Sequence, residues 1–462
     1  MEVTLEKNAE TLEALIRVKV QEGDYKENID KKIKEYAKKA NINGFRQGKV
    51  PPMVIKRLYG KSIKVDEINQ AAANSLYSYL RNEDVQIFGS PMIATDKMGN
   101  IDWDNSQDFE FVYEIGLQPD VVFEFNKDFT VKQYTVEITD SDISNFIVNM
   151  QERFADYADK EEVSADTDVW GRLSPTSEEV IMLNDKEFTK GKEFFGLASI
   201  NKLSEEAKAI FIGKKVGDEV TFDLRAVFPT NKELADFLRF EEEDLKEIKG
   251  EVVFTINSIS TRTLPEMNME FFKKVVGGKE EEEMTEEEFR AKVKEILQKK
   301  YGISARIETL LSFIDEANQK ITVNLPDSFL KKWLAAQDNR KEMGDEEYAV
   351  FQKGLQSQLI IDRLCKQNGL EATEEDLRAY AREIQMLNLF SMGFLNGIND
   401  DKLLDLFVDR MFENPDDDRN NQNLMSFERN IKATKLFDLY KDAITIEVIP
   451  HTGESFDKIA RD

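Results

Sequence analysis

The sequence predicts an α+β multidomain protein in which a β-rich module is inserted into an all-helical C-terminal domain. Three observations support this fold class. The chain has 462 residues, which is more than a single hydrophobic core usually organises. Its first part mixes strand-like and helix-like patterns, residues 169–260 are strand-like, and the sequence beyond Pro265 is helical. Because helical sequence lies on both sides of the strand-rich stretch, an insertion is the simplest arrangement.

The composition predicts a soluble cytoplasmic protein and excludes several kinds of chemistry. Hydrophobic residues make up 41% and charged residues 33% of the chain. No run of about 18 apolar residues occurs, and the N-terminus MEVTLEKNAE has no signal-peptide pattern. Cys365 is the only cysteine and His451 the only histidine. A disulfide, a zinc cluster or the usual histidine-based triad therefore cannot be built without them, and we expect no cofactor and no metal site.

The first 118 residues show the patterns of a self-contained α+β domain. LEALIRVKVQ places Ile16, Val18 and Val20 on one face, as a half-buried strand does. The following helix, DYKENIDKKIKEYAKKANI, has an apolar stripe that leaves most of its lysines outside. The stripe consists of Ile29, Ile33, Tyr36, Ala37 and Ala40. A second helix from about Met53 and an alternating strand, DFEFVYEIGL, complete the predicted domain.

The remaining chain is predicted to contain three segments. Residues 119–154 form a linker and the first helix of the helical domain, residues 155–262 form the β-rich module, and residues 263–462 supply the other helices. Capping-box spacing, in which an acid follows a threonine after three positions, marks three helix starts. These pairs are Thr139–Asp142, Thr285–Glu288 and Thr373–Asp376. Within the module, FIGKKVGDEVTFDL is expected to be a strand, a glycine-containing turn and a second strand.

The loop GFRQGKVP lies in a basic island between Asp24 and Val65. Ten lysines, two arginines and four acidic residues give this island a net charge of +8, so the remainder carries −35 in a chain whose total is −27. Such asymmetry favours docking of one face onto phosphate backbones, although a charge run is often only a solvated helix face. Phe45 shifts the balance towards docking, because an aromatic ring flanked by cations can enter an apolar pocket while the cations bind phosphate.

GFRQGKVP and the helix PMVIKRLYG after it resemble the ribosome-docking signature of trigger factor, the bacterial chaperone family that meets nascent chains at the tunnel exit. The resemblance covers essentially the whole chain. It includes a docking domain, the linker PDVVFEF, a module where the family carries an FKBP-like prolyl isomerase, and helices containing LPDSFLKKWL. It implies an ATP-independent chaperone that docks at the exit tunnel and shields nascent polypeptides during folding. No P-loop motif occurs, in agreement with ATP independence.

The resemblance also implies particular residues and partners. The docking residues would be Gly44, Phe45, Arg46, Gln47, Gly48, Lys49, Val50 and Pro51. The partners would be a ribosomal protein and rRNA near the tunnel exit, together with unfolded nascent polypeptides. No membrane partner is expected, and the free form is expected to be a weak homodimer.

The central module departs from the family pattern where an isomerase pocket is expected. ASINKLSEEAKAIF stands in place of an apolar stretch that ends in an Ile-Pro-Gly-aromatic turn. Charged residues there, such as Lys202 and Glu205, would keep the substrate pocket hydrated, whereas isomerisation needs a pocket that excludes water. We expect weak or absent isomerase activity and name no catalytic residue, and an active peptidyl-prolyl cis-trans isomerase in residues 155–262 remains the alternative. Other aromatics either line a reduced pocket or form the core: Phe188, Phe194, Phe195 and Phe228.

Client binding requires exposed apolar side chains that hold unfolded chains transiently. The segment QMLNLFSMGFLNG is the best local candidate, since flexible methionines suit unspecific contacts. The candidates are Met386, Phe390, Met392, Phe394 and Met411. The alternative is that these side chains are buried in helix packing. A third hypothesis for the whole protein is an rRNA-binding assembly factor with no client function.

Overall fold

A four-stranded antiparallel sheet and two helices form the N-terminal part of the computed structural model. Its elements are β1 (Glu2–Asn8), β2 (Glu13–Val20), α1 (Glu22–Lys39), α2 (Pro52–Asn82), β3 (Ile87–Ile93) and β4 (Phe109–Leu117). The strand order is β1-β2-β4-β3. Ile16, Val18 and Val20 are fully buried in β2, which confirms the alternation predicted for this strand. The structure describes residues 1–43, 45–46, 48–183, 186–245, 247–277, 283–338, 343–393, 401–413 and 418–459.

The segment after the first sheet buries aromatic side chains in the helical core. Phe125 and Phe129 lie with their ring centroids 6.0 and 5.4 Å from that of Phe313. The next elements are β5 (Thr130–Glu137) and α3 (Asp140–Arg153). The predicted capping box opens α3, because the Asp142 N–H donates to Thr139 Oγ1 at 3.2 Å and the Thr139 N–H donates to the Asp142 carboxylate at 2.9 Å.

The central module is a sheet with short helices around it. Its elements are β6 (Asp156–Asp159), β7 (Thr167–Pro175), β8 (Ile181–Leu183), β9 (Lys186–Phe188), β10 (Phe194–Ser199), α4 (Glu205–Phe211), β11 (Glu219–Asp223), α5 (Leu224–Val227), α6 (Asn231–Leu238) and β12 (Glu251–Thr263). The main sheet has the order β10-β7-β12-β11, and β6 pairs with β12. Its inner face is buried against α4, α5 and α6, and the shared core is rich in phenylalanine.

The predicted hairpin in FIGKKVGDEVTFDL is wrong in its first half. Phe211 ends α4, which is stabilised at its start by the Ser204 hydroxyl accepting from the Ala207 N–H at 3.2 Å. Gly213 and Gly217 then turn the chain with φ of +81° and +93°, a conformation that favours glycine. The second half forms β11 as expected. A short apolar run is compatible with both a helix end and a strand. The Ser204 cap favours the helix, because it stabilises the start of α4.

Helices dominate the chain after the module. They are α7 (Met269–Val276), α8 (Glu286–Lys320), α9 (Asp327–Asp338), α10 (Asp345–Gln367), α11 (Glu374–Met392), α12 (Asp401–Glu413), α13 (Asp418–Tyr440) and α14 (Gly453–Ile459), with β13 (Thr445–Thr452) pairing with β5. The other two predicted capping boxes are also confirmed. Their backbone N–H groups donate to the capping hydroxyls at 3.3 Å for α8 and 3.2 Å for α11.

The chain divides into two compact units that each combine distant segments. The first contains Met1–Thr135, Gly302–Asn388 and Lys402–Pro450, and the second contains Val136–Tyr301, Leu389–Asp401 and His451–Asp462. The N-terminal sheet thus shares a unit with helical segments. Over its described residues, the chain has no helix that is both long enough and apolar enough to cross a bilayer.

Candidate functional site

The basic loop lies at the tip of the α1–α2 hairpin, which has a small hydrophobic core of its own. Ile33 and Ala37 from α1 pack with Ile55 and Ile63 from α2. Val50 joins this cluster from the loop itself. The loop is therefore supported by a folded hairpin, which limits the conformational entropy that a partner must remove on binding.

Backbone turns expose three of the predicted docking side chains. Gly48 has a φ of +79°, and the Lys49 N–H donates to the Arg46 carbonyl oxygen at 2.9 Å. Phe45 is 39% exposed, and Arg46 and Lys49 are also exposed. An aromatic ring thus lies close in sequence to two cations at the surface of the hairpin tip.

The other predicted docking residues have different places. Val50 is only 4% exposed, so it anchors the loop and is not available to a partner; its inclusion among the contact residues is corrected. Pro51 is exposed and directly precedes α2, in which Pro52 occupies the first helical position. Gly44 and Gln47 lie outside the described residues.

Cations near the loop lack acidic partners, whereas cations farther along the hairpin have them. Lys26 pairs with Glu22 at 2.9 Å and Lys61 with Asp104 at 2.8 Å. Lys64, farther along α2, donates to the backbone carbonyl oxygens of Trp103 and Ser106. Around the loop, seven described cations form no ion pair and are here called the tip cations: Lys34, Lys38, Lys39, Arg46, Lys49, Lys56 and Arg57. The first turn of α2 contains no acidic residue. Unpaired cations and a helix N-terminus without acidic side chains both attract negative charge, so together they favour binding of a polyanion at the tip.

Exposed apolar side chains extend the same surface along the two helices. Met53 is 81%, Leu58 56% and Tyr59 45% exposed on α2. Tyr36, which the sequence placed on the buried stripe of α1, is 48% exposed because it lies at the edge of that stripe. Leu58 and Tyr59 follow Ile55 by three and four positions, the spacing of one helix face, so the sequence pattern did not predict their exposure.

The central module fills the inner face of its sheet with its own aromatic rings. Phe237 from α6 is 1% exposed and stacks on Phe228, with ring centroids 4.2 Å apart. Gly196 in β10 lies directly beneath it, since a Cβ there would be 2.5 Å from the Phe237 ring. An isomerase needs an open apolar cradle for its substrate, and Phe237 occupies the space above Gly196.

The aromatics named from the sequence divide between core and surface. Phe188, Phe194 and Phe228 are 2%, 6% and 3% exposed, so they belong to the core. Phe195 is instead 52% exposed. Lys202 and Glu205, expected to keep a pocket wet, are exposed around the start of α4. The space above Gly196 is therefore occupied by the Phe237 ring, and the charges lie apart from it at the surface.

The client-binding candidates also divide. Met392 is 58% exposed and Met411 only 8% exposed, and Met386 and Phe390 are half-buried. Met411 belongs to a helical core with Tyr380 and Phe427, so its proposed exposure is wrong. Phe394 lies outside the described residues. On α12 and α13 the sequence reasoning missed two exposed apolar side chains, each 55% accessible: Leu406 and Met425.

The only cysteine is poorly placed for chemistry. Cys365 is 1% exposed, and its Sγ donates to the Lys432 carbonyl oxygen at 3.4 Å. Burial raises the pKa of the thiol to about 11, so the thiolate is scarce at neutral pH. Among the described residues, no cluster of three or more His, Cys, Asp or Glu side chains could hold a metal ion.

Comparison with known families covers almost the whole chain in three consecutive parts. The model described as bacterial trigger factor protein matches residues 1–150, a trigger factor FKBP-like domain matches residues 157–264, and a trigger factor C-terminal domain matches residues 311–460. The three matches are thus parts of one multidomain chaperone family, with an FKBP-like module between an N-terminal α+β domain and a helical C-terminal domain. The chain belongs to the trigger factor family.

Individual relatives are distant. The trigger factor of Cellvibrio japonicus is 26% identical over 337 residues, covering 71% of this chain and 69% of its own. That of Saccharophagus degradans is 27% identical over 380 residues, covering 78% and 76%. A solved structure from work on promiscuous substrate recognition in folding and assembly by the trigger factor chaperone covers 95% of this chain and 100% of its own, with 18% identity and a TM-score of 0.40.

Proposed function

We propose that this protein is an ATP-independent chaperone that docks at the ribosomal exit tunnel through GFRQGKVP and shields nascent polypeptides in the cytoplasm. The carrying observation is the surface at the tip of the α1–α2 hairpin. It combines the exposed ring of Phe45 with the tip cations, which are free of acidic partners among the described residues. An aromatic ring suits a pocket on a ribosomal protein, and free cations suit rRNA phosphates.

The contrast between paired and free cations supports a docking role over a merely solvated helix face. A solvated face gains from ion pairs between residues one turn apart, as Lys26 has with Glu22 and Lys31 with Glu27. Near the tip this pairing stops, although both sides of the loop remain basic. Unpaired cations repel each other, so their concentration at the tip costs stability unless an anion binds there.

Co-sedimentation with bacterial ribosomes tests the docking proposal. The native chain is compared with Phe45→Ala/Arg46→Ala/Lys49→Ala. We expect the native chain to pellet with ribosomes and the variant to remain in the supernatant, because both the ring and two cations are removed. A second triple variant, Tyr157→Ala/Lys160→Ala/Lys215→Ala, removes one exposed aromatic and two exposed cations from the central module and serves as the control.

The two variants separate specific docking from general charge attraction. Loss of pelleting in the loop variant alone supports docking through GFRQGKVP. Equal behaviour of the loop and control variants contradicts it, because both change the net charge by the same amount. A native chain that never pellets contradicts ribosome docking altogether.

We assign client binding to exposed apolar side chains on the C-terminal helices, with Met392, Leu406 and Met425 as the contact candidates. Each is more than half exposed, and scattered apolar contacts of this kind hold unfolded chains weakly and release them. Suppression of aggregation of an unfolded protein by the full chain tests this role. An rRNA-binding assembly factor without client function would leave the aggregation unchanged.

An active isomerase is the alternative, since the module matches an FKBP-like family. The packing of Phe237 over Gly196 opposes it. Proline-limited refolding in the presence of substoichiometric amounts of the full chain distinguishes the two. We expect no catalytic acceleration, and clear acceleration would show that the closed pocket opens in solution.

A further inference from the structure

β10 is the outermost strand on one side of the module's main sheet. β10 pairs with β7 on one side, and on its other side it pairs with no strand in the described part of the chain. Its six residues, FFGLAS, include no charged residue and no proline. Natural sheets usually protect exposed edges with charges, proline or bulges, because unpaired N–H and C=O groups attract another strand. β10 has neither the charged residue nor the proline that would protect such an edge.

An apolar platform lies beside this edge on the outer face of the sheet. Phe195 is 52% and Trp170 38% exposed. Their rings are stacked, with centroids 5.5 Å apart and an interplanar angle of 4°. The register places Trp170 opposite Leu197, so the two rings form a diagonal cross-strand pair, and Leu197 is half-buried next to them.

The platform is confined to the edge. On β12, the next strand towards the centre of the sheet, Ser258 lies opposite Trp170 and Thr255 lies opposite Arg172. Arg172 itself forms an ion pair with Glu193 at 3.2 Å. Polar and charged groups therefore bound the rings on the central side. The two rings therefore lie beside the edge strand and not at the centre of the sheet.

We propose that the outer edge of β10 binds an extended segment of an unfolded polypeptide as an added β-strand, while Trp170 and Phe195 receive its apolar side chains. A strand is the ligand whose own backbone supplies donors and acceptors at the spacing of the free edge. Backbone pairing does not depend on sequence, and the small aromatic platform adds only a preference for apolar residues.

The area of the surface favours a peptide segment over a second copy of the chain. A six-residue edge is about 20 Å long, and the apolar part consists of two rings and one leucine. This is far less than the roughly 800 Å² per partner that a stable protein interface buries. Weak, short-lived binding of a flexible segment needs no more. The ligand class rests on the proposed client-binding role, but the site uses neither the ribosome-docking loop nor an isomerase pocket.

Hydrogen exchange of the full chain tests the proposal with a synthetic peptide of about ten residues that alternates apolar and polar side chains. We expect saturating peptide to slow exchange of the 194–199 amides. A second peptide carries N-methyl groups on the amides of one edge, and a third carries them on the other edge. At least one of these should bind about tenfold more weakly, because N-methylation removes the donors of that edge.

Variants locate the contact. Phe195→Lys should weaken peptide binding at least about tenfold, since it removes a central ring and adds the charge that protects natural edges. Phe195→Thr retains strand propensity and should weaken binding as well. Met182→Lys, which alters another exposed apolar residue of the module, 59% accessible, should leave binding unchanged. Cooperative unfolding of each variant verifies that the module is folded.

The outcomes are distinct. Peptide binding without protection of 194–199, or equal binding of all N-methylated peptides, overturns the strand-addition site while client binding elsewhere stands. A native chain that neither binds the peptide nor suppresses aggregation overturns both this site and the proposed chaperone role. Protection of 194–199 that depends on protein concentration without peptide overturns the proposal in favour of a second copy.

Discussion

Asp376 shows how one side chain can open a helix and join it to another. Its carboxylate accepts from the Thr373 N–H at 2.8 Å, at the start of α11, and from Lys435 Nζ on α13 at 2.6 Å. The hydrogen bond from Lys435, followed by those from Thr373, lowers the pKa of Asp376 from 3.8 to about 2. The ionised carboxylate therefore stabilises the fold above about pH 4, and this contribution is lost as the pH falls from about 4 towards 2.

Asp376→Asn should consequently destabilise the protein near neutral pH and have a smaller effect in acid. Urea unfolding at about pH 7 and about pH 3 measures the difference in midpoint between variant and native chain. Asp345→Asn is the control, because the Asp345 side chain is fully exposed in the first turn of α10. A difference for Asp376→Asn that stays constant between the two pH values would contradict the assigned role of its ionised form.

Phe237 is the core residue of the module whose removal should cost more stability than removal of the exposed Phe195 ring. It is 1% exposed and fills the space above Gly196, so Phe237→Ala leaves a cavity and should cost about 3–5 kcal/mol of stability. Phe195→Ala removes a ring of the same size that is 52% exposed, and it should cost much less. Urea unfolding of the two variants tests this order, and equal losses would show that Phe237 is not a core residue.

At the level of elements, local sequence signals predicted strands and helix starts correctly, whereas packing between distant residues was not predicted. The alternation in β2 and the threonine capping boxes of α3, α8 and α11 depend on neighbours within a few residues, so the sequence displays them directly. The contact of Phe237 with Gly196 joins residues 41 positions apart, and no local periodicity in the sequence predicts such a contact. Phe195 and Phe194 are adjacent, yet only the strand pairing decides which of them is exposed.

Helix α9 provides the clearest test of packing between distant elements. It lies against the N-terminal sheet through Phe329, with Pro326 just before its first residue, and both contact Gly116 in β4. A Cβ on Gly116 would be 2.5 Å from the Phe329 ring and 2.8 Å from Pro326 Cγ. Glycine at this position therefore permits the close approach of the two elements.

Gly116→Ala should lower the free energy of unfolding by about 1–3 kcal/mol, because α9 must shift or the Phe329 ring must leave its preferred rotamer. Gly354→Ala is the matched control. Gly354 lies inside α10, and a Cβ there would meet nothing within 4 Å. Because alanine has the higher helix propensity, Gly354→Ala should raise the free energy of unfolding by about 0.5–1 kcal/mol. Thermal unfolding measures both changes, and equal melting temperatures for the two variants would contradict the close packing at Gly116.

The whole molecule separates its charges. The basic island carries +8 while the remainder carries −35, so a polyanion such as the proposed rRNA partner would attract the island and repel the rest of the chain. Such a charge distribution would affect orientation as well as affinity, because only the basic island is attracted to a polyanion.

The distribution of ion pairs then predicts which cations contribute to docking. Lys38→Ala/Lys39→Ala removes two unpaired tip cations, and each lost phosphate contact should reduce the slope of log affinity against log salt by about 1. Lys26→Ala/Lys61→Ala removes the same charge from cations already paired with Glu22 and Asp104, so the slope should change little. Co-sedimentation with ribosomes across a salt series measures both.

Phe45→Ala completes this test, because the ring contributes through apolar contact and not through charge. It should weaken ribosome binding at every salt concentration and leave the salt slope unchanged. A reduced slope for Phe45→Ala would mean that the ring only orients neighbouring cations. Equal slopes for the Lys38/Lys39 and Lys26/Lys61 variants would mean that the basic island attracts rRNA as a whole, and that the tip has no special role in docking.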